Sequence, residues 1–205
     1  MSEIAQASRT TFEMAREFLS GLTDLENSSN AMLSGSARMK LAREAARFGV
    51  IHRAARALTW QEFEEFGEEC LCGAGFDTQK GIVIMDSARR WQIDLVALKG
   101  EILLTLDCKH WESPNYASKF KSAIEHQKQS LSPLINHLRT KGRLVGPETW
   151  TLPIIVTLSE PRDVTLHGVI LVSFEQLPDF LAHLSPYDPE LPFVRIDNLA
   201  ESPIS

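Results

Sequence analysis

The chain has 205 residues, 43% of them hydrophobic, and a formal net charge of −6. That is enough apolar material for one substantial core with a small helical appendage, and it leaves no room for a second catalytic domain. No run of eighteen apolar residues and no basic-then-apolar N-terminal signal occur, so the expectation is a soluble, cytoplasmic protein without a membrane span.

The first 58 residues read as helical. Phe12, Ala15, Phe18, Leu19 and Leu22 form one amphipathic stripe, Asn27 to Asn30 supply a break, and a second helical region runs from about Ala37 to Leu58. Between Ser36 and Leu58 six basic residues (Arg38, Lys40, Arg43, Arg47, Arg53, Arg56) face a single acid, Glu44, so the rest of the chain carries −11. An acidic protein repels nucleic acid unless its positive charge is concentrated where the backbone docks, and Arg43 and Arg47 are candidates for that dock. The other reading of the same helix is packing on the acidic remainder or on a second subunit.

Thr59-Trp60-Gln61-Glu62 has the form of a capping box and predicts a helix ending near Gly73 to Gly75. Trp60, Phe63, Gly67, Cys70 and Leu71 line its apolar side. At about 100° per residue Glu64 falls on the border of that stripe, aimed at the sheet, while Glu62, Glu65 and Glu69 are expected to be solvated.

Residues 91–98 and 101–109 are strand candidates, and Lys99-Gly100 between them suits a two-residue turn. In that register Asp94 faces Thr105 and Gln92 faces Asp107. Side-chain alternation then places Gln92, Asp94, Thr105, Asp107 and Lys109 on one face, with Asp94 and Asp107 roughly 7 to 8 Å apart as diagonal neighbours. Two carboxylates at that spacing can share one hard cation, which would offset the cost of burying them. An ordinary hairpin with surface charges at its open end has the same spacing.

Tyr116, Phe120, Ala123, Ile124, Gln127 and Leu131 recur at helical spacing and predict a helix over about 115–131. Gln127 in its apolar stripe needs partners, either within the core or at Lys109 or a phosphate. Lys119, Lys121, His126 and Lys128 add positive charge, a grip for a DNA backbone or simply a solvated face. Leu152 to Pro161 and His167 to Leu177 read as buried strands, followed by a short helix through Leu184 and an irregular tail over 186–205 that holds four of the ten prolines. Strand-rich and helical segments alternate, which predicts an α/β sandwich with a mixed central sheet flanked by helices. The expected organisation is a helical extension (1–58), a catalytic-type domain (59–185) and a tail (186–205).

Cys70, Cys72 and Cys108 are odd in number, which argues for reduced thiols. Cys70-x-Cys72 lacks zinc-knuckle spacing, and three cysteines fall short of a four-thiolate iron-sulfur site.

Phe63-Glu64, Gly75-Phe76, Ile93-Asp94-Leu95-Val96 and Asp107-Cys108-Lys109 together resemble the PD-(D/E)xK nuclease superfamily, particularly archaeal Holliday junction resolvases and Mrr-type restriction endonucleases. The resemblance covers about residues 59–130. It implies a restriction-endonuclease-like sandwich and DNA phosphodiester hydrolysis in restriction or repair. It also implies that Asp94, Asp107 and the Cys108 backbone carbonyl hold Mg²⁺ or Mn²⁺, that Glu64 reaches the ion directly or through water, and that Lys109 orients the attacking water or neutralises growing charge. Gln92 and Gln127 are secondary candidates. Two departures stand out: Asp107 occupies a position where the closest relatives more often carry Glu, and Arg90-Trp91-Gln92 replaces the glycines often found before the first Asp. A nuclease-fold module that binds nucleic acid or a partner without cleaving is the alternative. Cutting both strands with one site per chain invites a two-fold homodimer.

Overall fold

The computed structural model of the protein describes residues 35–47, 55–56, 58–86, 89–110, 117–144 and 146–198. The stripe from Phe12 to Leu22 and the break at 27–30 lie outside them. The boundary between two compact units falls between Leu58 and Thr59. In the first unit, α1 spans Gly35–Arg47 with Met39 and Ala42 buried. Residues 48–54 of the longer helical region lie outside the described set.

The second unit begins with α2, Trp60–Gly73. The capping box forms as expected: the Glu62 amide donates to Thr59 Oγ1 (3.3 Å) and the Thr59 amide to Glu62 Oε2 (2.7 Å). That reciprocal bond folds Glu62 back onto the helix start and leaves it only 8% exposed, which corrects the expectation of a solvated side chain. Trp60, placed on the apolar stripe, is 52% exposed. Phe63 and Phe66 carry the packing and meet Phe174, with Phe63 stacked on it at 4.3 Å.

A seven-stranded mixed sheet follows: β1 Asp77–Asp86, β2 Arg89–Lys99, β3 Ile102–Lys109, β4 Glu148–Thr157, β5 Thr165–Leu166, β6 Val169–Ser173 and β7 Val194–Asp197. The order is β1-β2-β3-β4-β6-β5, with β7 also on β4. β1, β2 and β3 form an antiparallel meander, and β3 runs parallel to β4. α3, Ala117–Thr140, makes that crossover, and α4 is Leu177–Ala182. α2 packs on one face, where Gly67 meets Leu95 and Cys108. α3 packs on the other: Leu134, Ile135 and Leu138 join the cluster holding Val96 and Leu103, and Phe120, Ala123 and Ile124 pack with Ile155 and Leu171. This is the expected α/β sandwich. Among the described residues no helix is long and apolar enough to cross a membrane.

Four sequence expectations change. The strand β1 was not anticipated, although Ile82-Val83-Ile84-Met85 is a β-prone run. α3 continues through Pro133 to Thr140, because Leu134, Ile135 and Leu138 keep the stripe buried and outweigh one lost helical hydrogen bond. The tail is not wholly irregular, since β7 pairs antiparallel with Glu148–Thr151 of β4. The turn is Gly100-Glu101 rather than Lys99-Gly100, because Lys99 pairs with Ile102. Gly100 alone of the two turn residues has positive φ (58°), and a hairpin turn of that pattern requires glycine at its first central position. Lys99 stays in the strand and donates to the Ala74 carbonyl at the end of α2 (2.8 Å).

β4 has Pro153 at its centre. Trp150 donates its amide to Glu101, so alternation points the position of residue 153 at the opposite edge of the strand. There the β7 ladder has ended at Thr151 and the β6 ladder begins at Ile154. The missing donor falls in the gap between two partners, where a central-strand proline is tolerated.

Candidate active site

The corrected turn shifts the hairpin register by two residues, so facing numbers sum to 201 and Leu95 pairs with Leu106. A two-residue slip leaves each side chain on its face. It brings Asp94 to the position opposite Asp107, one step past the last pair of the ladder. The diagonal placement expected earlier, with Asp94 facing Thr105, is replaced by a more direct one.

The strand also breaks its own alternation there. β1 and β2 pair at Lys80↔Leu95 and again at Ile82↔Ile93, with Gly81 (φ 64°) and Asp94 skipped between them. On the turn side of this kink Lys80 reaches Glu68 of α2 (3.1 Å) and Leu95 lies against Gly67. On the other side Trp91 and Ile93 join the α3 cluster. Asp94 therefore stands where the strand changes face.

With the ladder ended, Asp94 Oδ2 accepts the Cys108 amide at 3.1 Å in place of a strand carbonyl. A strand residue directs its N–H and C=O to the same edge, so the Cys108 carbonyl points toward the Asp94 side. Asp107 is 7% exposed and its Oδ1 lies 2.6 Å from Lys109 Nζ. Glu64 approaches from α2, also 8% exposed.

The electrostatics show how these groups sense each other. Burial, with the Asp94 charge beside it, pushes Glu64 up to about 7, partly offset by Lys80 and Lys109. Burial raises Asp94 too, reinforced by repulsion from and hydrogen bonding with Asp107, while the Cys108 amide and Lys109 pull it down. Lys109 is held above the usual lysine range: burial opposes its charge, but Asp107 and Asp94 outweigh burial. Burial lowers His126, assisted by Lys109 and Arg89.

An open cleft of about 410 Å³ is lined by Gln92, Asp94, Asp107 and Lys109 of the sheet and by Ser122, Ala123 and His126 of α3. Thus four of the expected site residues converge, with Glu64 acting on Asp94 from the α2 side. Among the described residues, no group of three or more His, Cys, Asp or Glu side chains is gathered closely enough to hold a metal ion. Mg²⁺ commonly uses one or two carboxylates and keeps several waters, so the Asp94–Asp107 pair with the Cys108 carbonyl fits it without a third carboxylate in direct contact.

Gln127 is not in the cleft. It is 2% exposed, accepts from Thr105 Oγ1 (3.0 Å) and donates to the Ile154 carbonyl (3.2 Å), which makes it a satisfied core amide that ties α3 to β3 and β4. Lys121 and Arg43 are exposed, Lys121 on a side of α3 that does not line the cleft. Arg47 and Lys119 belong to α1 and α3, and their side chains lie outside the described residues.

Sequence reasoning missed Arg89. Its guanidinium sits 3.7 Å over the Trp91 ring and donates to Gln129 Oε1 (2.8 Å), and Trp91 in turn touches His126 at 5.7 Å between centroids. The available signal was Ser122, His126 and Gln129 recurring at i, i+4 and i+7 along one helix face.

No protein-family model matches the chain. An uncharacterized protein of Archaeoglobus fulgidus is 29% identical over 140 residues, which is 67% of this chain and all of that protein. The crystal structure of AF1548, a protein of unknown function, aligns with a TM-score of 0.36 at 18% identity over 57% of this chain and 59% of its own.

Proposed function

We propose that this chain is a metal-dependent endonuclease that hydrolyses DNA phosphodiester bonds in restriction or repair, built on a restriction-endonuclease-like sandwich. One observation carries it: Asp94 and Asp107 meet at the broken end of a hairpin, in an open cleft, beside a lysine and with the Cys108 amide donating to Asp94. Two half-buried or buried carboxylates placed together are costly unless a cation or proton lies between them. That cost is hard to assign to packing, since the hairpin between these acids and its turn is apolar apart from Thr105 and Lys99.

When bound, Mg²⁺ or Mn²⁺ supplies Lewis acidity toward the phosphate and a more acidic water. Asp94, Asp107 and the Cys108 carbonyl would hold the ion, and Glu64 would orient water from the α2 side. Lys109 neutralises Asp107 at rest and, one pleat from the acids, is positioned to offset charge growing on the phosphate oxygens. Gln92, exposed at the cleft wall, offers an amide to the substrate backbone.

A second reading has its own support. The 2.6 Å ion pair between Lys109 and Asp107, which satisfies one carboxylate with a residue of the chain itself, favours a module that binds nucleic acid or a partner through the same cleft without turnover. Incubation of the protein with Mg²⁺ or Mn²⁺ and linear, nicked, single-stranded and branched DNA separates them. Cleavage that Asp94→Ala and Lys109→Ala both abolish, with folding intact, supports the enzyme. Binding without cleavage on any substrate supports the module, and equal cleavage by the variants points to a contaminant.

A further inference from the structure

The cleft is poorly charged for the substrate it would take. Asp94 and Asp107 line it, Glu64 lies behind, and its one lysine is already 2.6 Å from Asp107. A divalent ion would contact the scissile phosphate, but the neighbouring phosphates need partners of their own.

Arg89 is built to be one. Stacking on Trp91 and donation to Gln129 fix the guanidinium in place, so the ordering cost of an arginine contact is met before any ligand arrives. Trp91 is itself 6% exposed and therefore a firm platform. Of five guanidinium N–H donors, one goes to Gln129 among the described residues, which leaves a fork for an oxyanion. From the cleft-lining Ser122 and His126, the same face of α3 leads to Gln129, roughly 10 Å from Ser122 along the helix.

We propose that Arg89 anchors a DNA phosphate flanking the scissile one, and that the Ser122–His126–Gln129 face of α3 is the track by which the backbone enters the cleft. This rests on the nuclease reading for the identity of the substrate. Arg89 acts by positioning, because it does not line the cleft that holds the acids.

The test uses the full chain carrying Asp94→Asn, which slows turnover, and a fluorescent duplex oligonucleotide titrated over a salt series. Adding Arg89→Ala should weaken binding and reduce the slope of log affinity against log salt by about one, the loss of one phosphate contact. Arg89→Lys keeps the charge without the planar fork and should fall between the two. Lys141→Ala, just past the far end of α3, should change nothing. In the cleavage assay with Asp94 restored, Arg89→Ala should raise KM and leave kcat unchanged. An unaltered salt slope in Arg89→Ala, or an equal loss in Lys141→Ala, overturns the track while leaving the nuclease reading standing if DNA is still cut. A slope loss in a protein that never cuts DNA supports the track and defeats hydrolysis instead. A chain that binds no DNA overturns both.

Discussion

The two ends of the β2–β3 hairpin are made of the same strands and do opposite work. At the turn end the ladder is unbroken from Leu95↔Leu106 to Lys99↔Ile102, and Leu103, Leu104, Val96 and Ala97 are buried between α2 and α3. At the open end the ladder stops, β2 changes face at Asp94, and a side chain replaces a backbone acceptor. Regular pairing satisfies every backbone group and so leaves nothing to present. Where it lapses, Asp94 and the Cys108 carbonyl become available, and the neighbouring regularity holds them in place.

The contrast can be broken from the turn end first. Leu103→Ala, which empties a fully buried position, should cost about 2–5 kcal/mol in chemical denaturation and leave cleavage per folded molecule unchanged. At the open end the reverse is expected: Asp94→Asn keeps an oxygen for the Cys108 amide, so melting should hold while cleavage falls by about 10²–10³-fold. Gly81→Ala probes the kink between them. A Cβ there meets nothing within 4 Å, so the cost is the left-handed backbone alone, about 1–2 kcal/mol, with Mn²⁺ affinity measured by calorimetry falling as Asp94 shifts.

The smallest expected effect is a pH dependence. Glu64 titrates near 7 in the folded chain against an ordinary 4.5, so its protonated form favours folding. That stabilisation is complete below pH 4.5 and disappears as pH rises through 7. Glu64→Gln should therefore raise the melting temperature at pH 8 and not at pH 4. Mn²⁺ binding to the natural chain should tighten as pH rises toward 7, releasing protons below that pH and not above it, and the variant should show a flatter profile.

Much of this was legible in the residues. The capping box at Thr59 named a helix start from four letters, because its two hydrogen bonds are local. The shared face of Thr105, Asp107 and Lys109 survived an error in the turn, since the misplacement was by two residues, whereas β2 changes face at Asp94. What escaped depended on distant partners. Glu62 reads as a solvated acid until its side chain is turned back onto Thr59. β7 reads as loop because only β4 makes it a strand. Gln127 offered two sets of partners, and only the fold brings Thr105 and Ile154 to it. The kink at Asp94 breaks the very alternation by which strands are recognised, and the glycine opposite it, Gly81, lies in another strand.

Pro153 has a consequence for how the sheet comes apart. With no amide proton at the junction, the outer edge of β4 is two short seams rather than one, the first closed by β7 and the second by β6. The first can unzip without tugging on the second. Amides of Thr149 and Thr151 should thus exchange with deuterium as the C-terminal strand frays, while those of Ile155 and Thr157, alongside Asp107 and Lys109, stay locked until the whole unit opens. Strand β7 is in that sense decoupled from the acids, which lie beside the seam that β6 closes.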